Sequence, residues 1–173
     1  MTADTPTIAS PTALLDRADV AVDDREAVIE HEHHADLYDG IEGMVVVGVT
    51  NADGQLLLRV HREEPYAVLP HASVAAGADW SERARRAVSE TAGIEARTED
   101  VRRVKRRRYT RPDSGAVVEA YQVFLDAVPV EEPTLAPPES VTTDWRLGWY
   151  GTVPVPTTEG NAGTVADIRA FLG

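Results

Sequence analysis

Hydrophobic positions along the chain change period several times. Val45–Val49 and Leu56–Val60 are apolar runs on either side of Asn51, Asp53 and Gly54, a pattern that predicts a β-hairpin. "EPYAVLP" continues to Pro70, and the small residues of "HASVAAGAD" read as a loop. A helical period follows, with Ala84, Val88 and Ala92 in one stripe, Asp79 as N-cap, Glu82 three residues on and Gly93 as the stop, so a helix is predicted over Trp80–Ala92. "VRRVKRRRYTR" and "AVVEAYQVFLDAV" form a second predicted hairpin around "PDSG". Beyond the proline-rich "PVEEPTLAPPES" lies a short ordered piece, "VTTDWRLGWYG", then the loop "PVPTTEGNAG". The pattern ends in a helix capped by Thr164, with Asp167 at its third position and Val165, Ile168, Phe171 and Leu172 inward.

Upstream, residues 1 to about 22 lack periodicity and read as a loosely attached arm with a short turn near Ala13–Arg17; "DDREAVIEHEHHADLYDGIEG" reads as a partly extended lead-in. This divides the chain into a lead-in over 1–40 and one domain over 41–173. Strands arriving as hairpins, each pair followed by a helix, imply an α+β layered fold with a mixed, mostly antiparallel sheet.

Composition narrows the chemistry. A chain of 173 residues, 43% hydrophobic, is long enough for a real core, and it has no cysteine, which removes disulfides, thiolate catalysis and zinc–thiolate sites. No apolar run is long enough for a membrane span and the N-terminus lacks a secretory pattern, so a cytoplasmic protein with no membrane partner is expected. The net charge of −12, with Lys105 the only lysine, suits a salt-rich cytosol; a GC-rich genome favouring arginine is the alternative. Global acidity makes nucleic acid an unlikely partner. Against it stands a local patch, eleven basic and four acidic residues from Arg83 to Arg111, which either draws phosphates or pairs with acidic neighbours.

The stretch from Leu69 to Ile94 resembles the Nudix box, whose pattern is Gly, five residues, Glu, seven residues, Arg-Glu, an aliphatic, one residue, Glu-Glu, one residue, Gly, aliphatic. Gly93 and Ile94 fix the alignment; Arg86 falls on the box arginine, Val88 on the aliphatic and Glu90 on the first of the paired glutamates, while Leu69 and Pro70 match the usual lead-in. "DWRLGWYGTVP" stands where the family carries a "WF…LP" segment, so the resemblance covers roughly residues 42 to 172. It implies a Nudix-like α/β/α sandwich.

The departures bear on activity. Ala72 replaces the opening glycine, and Ala78, Ala87 and Thr91 replace three of the four box glutamates. In the family those carboxylates hold Mg²⁺ (or Mn²⁺) against a pyrophosphate. Positions 87 and 91 share a helix face with 90 beside them and away from Ala84 and Val88, so the metal-facing side is expected to be the stripped one. The resemblance therefore implies a weak or non-catalytic binder of a nucleotide or other phosphorylated ligand. An active Mg²⁺-dependent nucleoside diphosphate-X hydrolase using Glu90 with carboxylates outside the box is one alternative, and a structural or partner-binding module, including a homodimer built through the N-terminal arm, is another.

Candidate catalytic residues are Glu90 and Arg86, although Glu82, Arg86 and Glu90 also suit a plain exposed ion-pair row. Candidate metal ligands are Glu90 and Glu119, with Asp113 a further acid. His71, Arg103, Lys105 and Arg107 are candidate phosphate contacts, the last three on one face of a strand. Trp80, Trp145, Trp149 and Tyr150 either pack in the core or stack a base. The "HEHH" run, His31 to His34, carries metal-ligand side chains at a spacing that suits solvated lead-in better.

Overall fold

The computed structural model describes residues 11–17, 20–28, 41–110, 115–131 and 144–172. Their strands are β1 (Ala21–Val28), β2 (Ile41–Val49), β3 (Leu56–His61), β4 (Ala67–Val68), β5 (His71–Ala75), β6 (Ala96–Thr110), β7 (Val117–Pro129) and β8 (Trp145–Tyr150); the helices are α1 (Trp80–Ala92) and α2 (Ala162–Leu172). Five strands form a sheet in the order β1-β6-β7-β2-β5, and three form a smaller sheet in the order β4-β3-β8. Four of the six strand pairings are antiparallel and two, β1 with β6 and β2 with β7, are parallel. This is the Nudix-like α/β/α sandwich, with a mixed, mostly antiparallel sheet.

Alternation along the strands builds two cores. Val45, Val47, Val49, Val104, Tyr121, Val123 and Leu125 face α1, meeting Trp80, Ala84, Ala87, Val88 and Ala92. Phe124, Leu56, Leu58, Ala67 and Leu69 instead meet Ile168 and Phe171 of α2. Gly48 is required on that second side, because a Cβ there would lie 2.2 Å from the Phe171 ring.

The strand–helix punctuation of α1 follows its sequence. Asp79 is extended at the N-cap and accepts a hydrogen bond from the Ser81 N–H, and Gly93 closes the helix in the left-handed region at φ 66°. The second hairpin pairs β6 with β7 as its alternation predicts, with β6 starting earlier, at Ala96; residues 111–114 of its turn, and with them Asp113, lie outside the described residues.

Three elements differ from the pattern reading, and a fourth, the lead-in, follows it in part. The first hairpin has its turn, with the Gly54 N–H bonded to the Asn51 carbonyl and Thr50 bridged to Leu56, but its arms then part and join different sheets. His71–Ala75, read as a loop, is strand β5 on β2: Ala72 and Val74 are buried while their neighbours are exposed, a period of two that small residues conceal. The extended part of the lead-in is β1, an edge strand parallel to β6, preceded by a short 3-10 turn at Pro11–Leu14; Leu14 and Val20 are buried against the α1-side core. The final helix begins at Ala162, so Thr164 lies within its first turn and is not the cap. The buried Asn161 precedes it, donating to the Pro65 and Pro156 carbonyls at 2.6 and 2.9 Å and accepting from the Thr158 N–H at 2.7 Å. His31–His34 and the linker residues 132–143 lie outside the described residues.

Candidate functional site

Helix α1 does not turn the expected face outward. Ala87 is 1% exposed and packs in the same cluster as Ala84 and Val88, so the position aligned with a box glutamate points into the core. With Trp80, Ser81, Ala84, Val88 and Ala92 it completes one broad buried face. Thr91, at the edge of that face, is half-buried. Glu90 is outside it, with a side chain 57% exposed.

The ion pairs on α1 also differ from the Glu82–Arg86–Glu90 row. Arg86 reaches Glu82 at 3.9 Å with both side chains largely exposed, a contact of small energetic weight. Glu90 is held instead by Arg83, Nη1 to Oε2 at 3.4 Å, and the same guanidinium donates from Nε to the Ser73 carbonyl at 3.2 Å on the edge strand β5. Arg83 and Glu90 are seven residues apart, two turns of helix, and so lie on one line facing β5.

The remaining candidates are distributed over both faces of the large sheet. Lys105 turns toward α2, its Nζ 2.7 Å from Asp167 and 4.9 Å from the Phe124 ring centre. Arg103 lines a small gap with Arg102, Asp167 and Phe171 on that same side. Arg102 is fastened there too, to Asp126 at 3.0 Å and the Ala170 carbonyl at 2.8 Å. Arg107 binds Asp23 of β1 through both the carboxylate, at 3.5 Å, and the carbonyl, at 3.3 Å. The β1–β6 register places Asp24 opposite Arg106 and Glu26 opposite Arg108 along the same ladder. Thus the cations of β6 attach the sheet to its N-terminal edge strand and to α2. His71 is exposed on β5 with Nδ1 2.8 Å from the Leu69 carbonyl.

Glu119 accepts a hydrogen bond from the Tyr121 hydroxyl at 3.2 Å and lies 4.0 Å from Arg108. Burial, followed by the charge and hydrogen bond of Glu119, raises the Tyr121 pKa above the ordinary 10.0, with Arg106 pulling the other way. Glu119 does not approach Glu90. The chain leaves α1 and enters β6 at Ala96, opposite Pro129, whereas Glu119 is ten positions from Pro129, roughly 30 Å of strand. Among the described residues no group of three or more His, Asp or Glu side chains converges to hold a metal ion. A divalent ion needs several oxygens, and Glu90, the glutamate that matches the Nudix pattern, is already paired with Arg83, so the described residues do not fit the metal that the resemblance implies.

The aromatic candidates also separate. Trp80 is fully buried, and its Nε1 and the adjacent Ser81 hydroxyl have no hydrogen-bond partner among the described residues. Trp145 stands edge-on to His61, ring centres 5.0 Å apart, with Arg59 over its face at 5.3 Å. Tyr150 packs against the α2-side core. Trp149 is half-buried and lines a recess of about 710 Å³ with Asp53, Gln55, Val128 and Pro129. Residue type alone marked Trp149 as a candidate; no local signal shows that the β2–β3 turn meets the end of β7 beside it. No helix among the described residues is long and apolar enough to cross a membrane.

No family profile and no curated protein sequence matches the chain. Solved structures align with most of the chain. A UDP-X diphosphatase aligns with 84% of this chain and 70% of its own at a TM-score of 0.52 and 13% identity. An ADP-ribose pyrophosphatase from Streptococcus suis aligns with 75% of this chain and 87% of its own at 0.49 and 13%. A hydrolase of the NUDIX family from Clostridium perfringens aligns with 76% and 95% at 0.47 and 11%.

Proposed function

We propose that this chain is a Nudix-fold protein without hydrolytic chemistry, which binds a nucleotide or another phosphorylated small molecule. The observation that carries the reading is the state of α1: Ala87 is sealed in the core and Glu90 is paired with Arg83. A positioned base contributes on the order of 10²–10⁴ in rate, and a metal clamp adds to that; among the described residues no group of acids converges to build either. Ligand binding draws support from the fold shared with a UDP-X diphosphatase. It draws further support from the recess beside Trp149, where an aromatic face and the side chains of Gln55 and Asp53 suit a nucleobase.

The test combines calorimetry with product analysis. Nucleoside diphosphate derivatives, UDP-linked and ADP-linked among them, are titrated with and without Mg²⁺ or Mn²⁺ in high salt. Binding without release of mononucleotide, weakened at least tenfold by Trp149→Ala, is the expected result. Turnover abolished by Glu90→Gln would establish an enzyme instead, and a chain that binds none of the panel would be a structural or partner-binding module.

A further inference from the structure

The Arg83 guanidinium lies between two oxygens of different origin, the backbone carbonyl of Ser73 and the carboxylate of Glu90, at 3.2 and 3.4 Å. A carbonyl and a carboxylate on facing elements are the ligand types a hard cation takes. Here a tethered side chain takes both. Arg83 is 26% exposed, less than half the 57% of Glu90, so the cation is the better packed partner and the carboxylate comes to it. We infer that Arg83 is a resident counter-cation that keeps divalent metal off the α1–β5 edge. The inference rests on the non-hydrolytic reading and adds a cause: missing carboxylates weaken a metal site, while Arg83 repels the ion.

The electrostatics set the size of the effect. A unit positive charge about 4 Å from a divalent ion disfavours that ion by on the order of tenfold even with water-like screening. Removing the charge also returns two oxygens. Glu90 alone supplies too few ligands for a tight site, so the comparison belongs in a Thr91→Glu background, where a second carboxylate is restored at a half-buried position beside it.

The probe is Mn²⁺ alone, its free concentration read from the electron paramagnetic resonance signal. Thr91→Glu is compared with Thr91→Glu/Arg83→Met, both checked for a cooperative thermal transition. The double variant is expected to bind one Mn²⁺ at least tenfold more tightly, and adding Glu90→Gln is expected to abolish the gain. Equal affinity in the two proteins, or a gain that survives Glu90→Gln, overturns the inference. If the methionine variant does not fold, Arg83→Gln serves in its place, since the amide retains a donor for Ser73 without the charge. Nucleotide turnover by the unaltered protein would instead defeat the functional reading, an outcome that the Mn²⁺ titration does not register.

Discussion

The outer side of α1 and the strand β6 are both rich in arginine, yet their charges do different things. On β6 the cations reach far along the chain: Lys105 to Asp167, Arg102 to Asp126 and Ala170, Arg107 to Asp23. These contacts join the sheet to α2 and to the edge strand β1. On α1 the pairs are local, Arg83 with Glu90 and Arg86 with Glu82, and mostly exposed. A cation-rich run in an acidic protein is thus first a set of fasteners, and only what remains after internal pairing is open to a ligand. The two sets differ in exposure as well, the Lys105–Asp167 pair being 13% and 18% exposed where Arg86–Glu82 is 60% and 63%, so solvent screens the first pair less.

The sharpest challenge to this contrast is Ala87→Glu. This substitution places a carboxylate at a 1% exposed core position, and the expected loss is about 3–5 kcal/mol in chemical denaturation, from an unpaired buried charge and overpacking. A neutral or activating outcome would show that the α1 face is open. Next, Lys105→Met leaves Asp167 partly buried without its partner, with an expected cost of about 2 kcal/mol, and Asp167→Asn combined with it should recover part of that loss. Arg107→Gln is expected to cost about 1 kcal/mol and to raise hydrogen exchange in β1 selectively, which would identify the ion pair as the fastening of that edge. Arg86→Ala should change stability by less than about 0.5 kcal/mol. A larger effect would remove the distinction between local and long-range pairs.

Tyr121 adds a pH signature on the β6–β7 side. Its raised pKa means that the unfolded chain gives up the phenolic proton first, so the stability tied to the neutral hydroxyl is intact below pH 10.0 and declines as pH rises from there through the folded value. In Tyr121→Phe that increment is absent. The difference in melting temperature between the two proteins should therefore shift in favour of the phenylalanine variant above pH 10.0.

Local signals carried α1: an Asp79 cap, an alanine–valine stripe and a glycine stop are all read within a few residues of where they act. The second hairpin was legible for the same reason. What the sequence left unreadable depends on long-range partners. β5 hides behind Ala72, Ser73 and Ala75, whose small side chains blur a two-residue period that burial makes plain. The partners of β6, Asp23 and Asp167, are 84 and 62 residues from Arg107 and Lys105, and no spacing rule reaches that far. The orientation of Ala87 turned on helix rotation: Ala84 and Val88 define the stripe, and 87 falls within its true width because the sheet encloses more of α1 than a narrow stripe suggests. The sequence reading placed Glu82, Arg86 and Glu90 in one row; the structure keeps the Arg86–Glu82 pair but gives Glu90 to Arg83, one helical turn earlier, because Arg83 faces β5 and is held there by the Ser73 carbonyl.

Asn161 has a consequence for how the molecule is made. Its one amide spans 96 residues to reach the Pro65 carbonyl while holding the turn that launches α2, and β3, near Pro65, waits on β8 for its other neighbour. A chain that extends only as far as β7 holds α1 and all five strands of the larger sheet but neither β8 nor α2, so Leu56 and Leu58 lack their cover until the C-terminal segments arrive. The smaller sheet therefore closes only once the C-terminal segments are present, with the Asn161 amide joining the turn before α2 to the segment that follows β3.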